Sequence, residues 1–130
     1  MQEIKNITKN LDGLTPEEST QLVELERSVA LEEARPNIIK NFLSFVKYVW
    51  PEFIEGSHHK IINKKFNDIA EGKIKRLIVN MPPRHTKSEF ASYLLPAWMI
   101  GKSPSLKIIQ ATHTADLAID FGRKTKNLVD

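Results

Sequence analysis

Apolar residues recur with a helical period along most of this chain and form short unbroken runs at two places. The first periodic stretch follows Thr15-Pro16-Glu17-Glu18, a helix start with Thr15 as N-cap, Pro16 at the first helical position and Glu18 closing a capping box. Leu22, Leu25 and Val29 then predict a helix to about Ala34, its charged residues facing solvent. Pro36 is expected to open a second helix, in which Ile38, Phe42, Phe45, Val46 and Val49 share a face and Trp50-Pro51 marks the end. Gly56-Ser57 breaks the chain again, with Ser57 as the next N-cap. His58, His59 and Lys60 open a helix that turns Ile62, Phe66 and Ile69 inward and stops at Gly72.

The pattern then changes. Residues 73–80 contain the continuous run Leu77-Ile78-Val79, expected of a strand covered on both faces. A helix burying Phe90, Leu94 and Trp98 at four-residue spacing follows, with Pro96 expected to kink or shorten it. After the break at Gly101-Lys102-Ser103-Pro104, residues 106–112 read as a second buried strand and residues 115–129 as a helix with Leu117, Phe121 and Leu128 inward. Strand, helix, strand, helix predicts an α/β class with a parallel sheet, whose ligands sit at the carboxyl ends of the strands. The expected organisation is an N-terminal helical region, 1–55, and an α/β domain, 56–130.

Composition narrows this only a little. With 130 residues and 41% hydrophobic content the chain has material for one core, and no cysteine is available for a disulfide or a thiolate metal site. No apolar run approaches the ~18 residues of a membrane span, and residues 1–10 lack the apolar core of a signal peptide. The net charge is +3, but residues 1–35 are net acidic and the remainder net basic. That asymmetry suits a phosphate-rich partner and equally suits ordinary solvated lysines.

The candidate chemistry lies between the first strand and its helix, in Met81-Pro82-Pro83-Arg84-His85-Thr86-Lys87-Ser88. A Lys-Ser pair at a strand-to-helix loop is where a P-loop keeps the lysine for the β- and γ-phosphates and the hydroxyl for Mg²⁺. The two glycines of that pattern fall on Met81 and Thr86, residues whose Cβ disfavours the left-handed backbone. Pro82-Pro83 could stiffen the loop instead.

The run Arg76-Leu77-Ile78-Val79-Asn80-Met81-Pro82-Pro83-Arg84-His85-Thr86-Lys87-Ser88-Glu89 resembles the variant Walker A region of tailed-phage terminase large subunits, the ATP-driven motors that package DNA. The likeness continues through Pro96-Ala97-Trp98, through residues 111–118 and through Phe121-Gly122-Arg123-Lys124, and takes in His59 upstream. Thr86 stands where the family writes glycine. The resemblance implies a partial P-loop ATPase sheet of the additional-strand type and ATP with Mg²⁺ as cofactors. Pro83, Arg84, His85, Thr86, Lys87 and Ser88 would line the phosphates, with Lys87 and Arg84 acting in catalysis, Ser88 on the metal and His59 near the adenine. At a helix start a lone histidine is more often a cap or a surface residue, which is the alternative for His59, and His85 could equally be a loop-shaping residue. Thr112 could sense ligand or cap the last helix. Implied partners are double-stranded viral DNA, a small terminase subunit, a portal protein and further copies in a homo-oligomeric ring, with no membrane. The implied location is the bacterial host cytoplasm, at the procapsid.

A hydrolytic motor of this kind also needs an apolar strand ending in acidic residues. Residues 106–112 end in Gln-Ala-Thr, and the nuclease carboxylates of the family have no counterpart here. The chain is therefore expected to be an N-terminal piece, binding nucleotide with little ATPase or nuclease activity alone. A helicase-type ATPase fragment and a non-catalytic interaction remnant are the alternatives.

Overall fold

The computed structural model describes residues 15–129; the polar stretch at residues 1–10 lies outside them. The helices are α1 (Pro16–Lys40), α2 (Phe42–Val49), α3 (Ser57–Ala70), a π-helical segment (Glu89–Leu94) running directly into α4 (Leu95–Lys102), and α5 (Ala115–Val129). The described residues divide into two units after Pro36.

In the first unit, α1 begins as its cap residues dictate. Thr15 N–H and Oγ1 both donate to the Glu18 carboxylate at 2.8 Å, and Glu18 N–H donates to Thr15 Oγ1 at 3.3 Å. These bonds hold the Glu18 carboxyl below its usual range. The helix buries no residue: Val23 and Leu25 are 62% and 61% exposed. Pro36 does not open a second helix but sits inside α1, and the break comes later, at Asn41 of the second unit. There the Asn41 side chain accepts from the N–H groups of Leu43 and Ser44. Asn63 and Asn67, reaching across from α3, accept from Leu43 and Phe42 N–H. Three asparagines thus satisfy the donors that a helix start leaves open.

In the second unit, Phe42 is the hub. Its ring meets Phe66, Phe90 and Trp98 edge-on at centroid distances of 5.2, 5.3 and 5.6 Å, the arrangement that aromatic quadrupoles favour. Leu43, Val46 and Leu94 complete the buried cluster. Trp98 Nε1 donates to the Ile38 carbonyl at 2.8 Å, so its one polar atom is satisfied. Pro96 sits early in α4, and the helix runs on to Lys102. Having no N–H, Pro96 cannot serve the Ser92 carbonyl four residues before it; the Gln110 side-chain amide donates to that carbonyl instead. At the other end of α3, Gly72 takes φ +73°, and Gly72 and Lys73 N–H bond the Ile69 and Asp68 carbonyls in a Schellman motif.

The expected α/β parallel sheet is absent. Helix makes up 68% of the structure and the described residues contain no strand, so the architecture is all-α. A strand is completed only by a neighbouring ladder, and residues 76–82 and 107–113 make no backbone–backbone hydrogen bond. Nor is the first run covered on both faces: Leu77 and Val79 pack on the core while Ile78 is 85% exposed. In the second run Ile109 is 95% exposed.

Candidate functional site

The loop at residues 82–88 reaches its helix by an unusual backbone path. A turn at Pro83 and Arg84 is followed by bends at His85 and Thr86, and the helix starts at Lys87. Arg84 and Thr86 have φ of 63° and 58°, the left-handed region in which a Cβ costs roughly 1–2 kcal/mol per residue. Two such residues in three positions persist only where surrounding bonds hold them.

Those bonds are on Thr86 and His85. Thr86 O accepts from Phe90 N–H at 2.9 Å, the first turn of the helix. Thr86 Oγ1 donates to the His85 carbonyl at 2.6 Å and lies 2.9 Å from His59 Nε2. His85 Nδ1 bonds the Pro83 carbonyl at 2.9 Å; a carbonyl only accepts, so this nitrogen carries the proton. His85 therefore shapes the loop.

The loop leaves a set of donors without partners. Among the described residues, the N–H groups of Lys87, Ser88 and Glu89 have no backbone or side-chain acceptor, and no side chain caps this helix start. Ser88 Oγ bonds to nothing, and neither Arg84 nor Lys87 forms an ion pair, although all three are exposed. Glu89, at the same helix start, is engaged: Lys124 of α5 lies 3.9 Å from it and 3.3 Å from Asp120. Residues 82–84 and 86–89 line an open cleft of about 390 Å³. Free N–H groups at a helix N-terminus, flanked by two uncompensated cations and a hydroxyl, form an environment for a multiply charged anion.

His59 takes the helix-cap role. It is 5% exposed, with its ring between Phe53 and Phe90 at 4.7 and 5.1 Å. Gly56 N–H donates to its Nδ1 at 2.8 Å, so the side chain caps α3, and its Nε2 faces Thr86. Both ring nitrogens are committed. Burial, then the neighbouring His58, pushes its pKa below the ordinary value, with Glu55 opposing and His85 reinforcing. Gly56, not Ser57, is the N-cap, and a Cβ at Gly56 would come within 2.8 Å of the His58 ring.

Of the two adjacent histidines, His58 is the one on an open cleft. It lines a second hollow of about 270 Å³ between α3 and residues 77–81, with Ile61, Ile62, Leu77 and Met81. The adjacent pair at a helix start was the available signal, and the two rings lie 3.8 Å apart. Thr112 does not cap α5: its hydroxyl donates to the Thr114 carbonyl, and Thr114 Oγ1 takes the Leu117 N–H. No group of three or more His, Cys, Asp or Glu among the described residues could hold a metal ion, so a cation would need oxygen ligands from a bound anion together with Ser88.

Comparison with protein-family models, curated proteins and solved structures finds no match to this chain. No helix among the described residues is long and apolar enough to cross a membrane.

Proposed function

We propose that the loop at residues 82–88 binds the phosphates of ATP with Mg²⁺, and that the chain is the N-terminal, nucleotide-binding part of a DNA-packaging motor of the terminase large-subunit type. The observation that carries this reading is the uncapped helix start: three consecutive partnerless N–H groups at Lys87, Ser88 and Glu89, with Arg84 and Lys87 unpaired beside them. Helix-start donors are otherwise taken by a side-chain cap or by water, and a phosphate chain, drawn by the helix N-terminus and the two cations, would take that place here.

In this reading Lys87 neutralises the β- and γ-phosphate oxygens and Arg84 stabilises charge on the transferring group. Ser88 Oγ would contribute one ligand to Mg²⁺, whose charge would offset that of the phosphates. Pro83, His85 and Thr86 set the loop backbone. Glu89, the carboxylate nearest the loop residues, is turned to Lys124 and is a poor candidate for activating water. The chain alone therefore binds nucleotide with little turnover. Its proposed partners are double-stranded viral DNA, a small terminase subunit, a portal protein and further copies in a ring.

Titration with a fluorescent ATP analogue and Mg²⁺ tests the reading. Saturable binding that competes with ATP and disappears in Lys87→Ala is expected. An unsaturable signal, or one indifferent to Lys87, overturns it. Phosphate release at a rate that depends on Lys87 would refute the separate statement that the isolated chain turns over poorly.

A further inference from the structure

We propose that His59 is a positioning residue that holds the phosphate loop ready for its ligand through Thr86, the pair standing in for a glycine at the loop's last turn. The inference rests on the phosphate-binding reading for its functional consequence, while its structural part stands by itself.

Hydrogen-bond chemistry leaves a single arrangement for this pair. Gly56 N–H can only donate, so His59 Nδ1 accepts and is unprotonated. A neutral imidazole then carries its proton on Nε2, which donates to Thr86 Oγ1 at 2.9 Å. The Thr86 hydroxyl spends its own proton on the His85 carbonyl at 2.6 Å. One directional chain thus runs from the first turn of α3 to the strained loop, joining residues 27 apart in sequence. The Phe90 ring lies 5.1 Å from the His59 ring, and its N–H holds the Thr86 carbonyl. Phe90 therefore ties ring and loop to the same helix.

Glycine would adopt φ near 58° without help. Threonine does not, and its hydroxyl provides what the missing glycine would have made unnecessary. A loop locked before the ligand arrives loses less entropy on binding, which is where the affinity gain arises. The lock needs neutral His59. The titratable groups that face it are His58 on α3, His85 on the loop, and Glu55, which Lys47 and Lys60 bridge.

A cycle of His59→Ala, Thr86→Gly and the double variant tests the coupling, with Mg²⁺ and the fluorescent ATP analogue as ligand. A lost buried hydrogen bond together with loop disorder should weaken binding about tenfold when His59→Ala is made beside the native Thr86. In the Thr86→Gly background the same change should cost less than about twofold. Thr86→Ala, which leaves the core intact, should weaken binding like His59→Ala and be insensitive to adding it. Equal losses in both backgrounds would reduce His59 to a core residue and overturn the proposal. Ring ¹⁵N NMR of the ligand-free protein decides the structural part whether or not nucleotide binds: a proton on His59 Nε2 supports the lock, and one on Nδ1 refutes it. If the wild-type chain binds no nucleotide, the same cycle in melting temperature still reads the coupling. Absence of binding then counts against the phosphate reading, and absence of thermal coupling against the lock.

Discussion

Two loops in this molecule carry the chain from an extended segment into a helix, and they do it differently. The one entering α5 is closed by its own threonines: Thr114 Oγ1 takes the Leu117 N–H, Thr114 O takes the Ala118 N–H, and Thr112 ties the turn, so that only the Ala115 and Asp116 N–H groups have no protein partner among the described residues. Its backbone stays out of the left-handed region. The loop at residues 82–88 has two left-handed residues with side chains, no cap, and three donors without partners. Ordinary side-chain capping accounts for the first loop. It leaves the second unexplained, since a serine or aspartate turned onto those N–H groups would stabilise the helix by about 1 kcal/mol. What the second loop loses in capping it keeps as capacity for an anion.

The comparison breaks most decisively at Lys87. Lys87→Ala removes a charge-assisted contact of about 1.5–3 kcal/mol, so affinity for Mg–ATP should fall roughly 10- to 150-fold while the melting temperature hardly moves. Isothermal titration with a parallel melt checks both halves. Thr114→Ala should do the reverse, lowering stability by about 1 kcal/mol through the lost cap and leaving nucleotide affinity alone. If instead the cap variant weakened nucleotide and the lysine variant lowered stability, the roles assigned to the two loops would be interchanged.

How much of this was legible beforehand depends on how far each interaction reaches along the chain. Helices close their hydrogen bonds within four residues, so the capping box at Thr15, the glycine stop at Gly72 and the buried Phe90, Leu94 and Trp98 were visible in spacing alone. The helix boundary was misplaced from Asn41 to Pro36 because two of its three asparagines lie 20 and 25 residues away. The two β-like runs satisfied every local criterion for strands. Their failure to pair is a property of what lies beside them, which periodicity does not encode. In the loop, the demand for positive φ at Thr86 was legible from its place in the motif, while that at Arg84 was not. That His59 meets Thr86 could not be read at all, because nothing local joins residues 59 and 86.

A third, smaller effect follows from His59. Its folded-state pKa lies below the ordinary ~6.5 because burial disfavours the imidazolium. The unfolded chain then binds the proton more readily, so stability rises with pH across the interval. The contribution is complete above about pH 6.5 and is lost as pH falls through the lower folded value. Glu18, Glu55 and Glu71 are also held below their ordinary range, but they act only beneath about pH 4.5. Melting temperature should therefore decline as pH falls below about 6.5, with nucleotide affinity declining beside it, and His59→Gln should flatten a part of both slopes. Identical slopes in the variant would detach His59 from the loop.

The smallest expected change, and the one that sharpens the contrast between the loops most, is at Thr86 itself. Replacing it with glycine relieves roughly 1–2 kcal/mol of left-handed strain. The same change removes the hydroxyl's two hydrogen bonds, each about 0.5–1.5 kcal/mol net, and gives the unfolded chain more freedom. These terms nearly cancel, so the melting temperature should shift by only a few degrees. Affinity should rise by no more than about threefold, since glycine reaches the same φ without strain while losing the lock. Measured by competition against ATP, a clear loss of affinity would mean that the hydroxyl does more than hold the backbone and that Thr86 itself meets the ligand. At the α5 entry, Thr114→Gly offers no such balance: no left-handed residue is relieved there, and the cap is simply weakened.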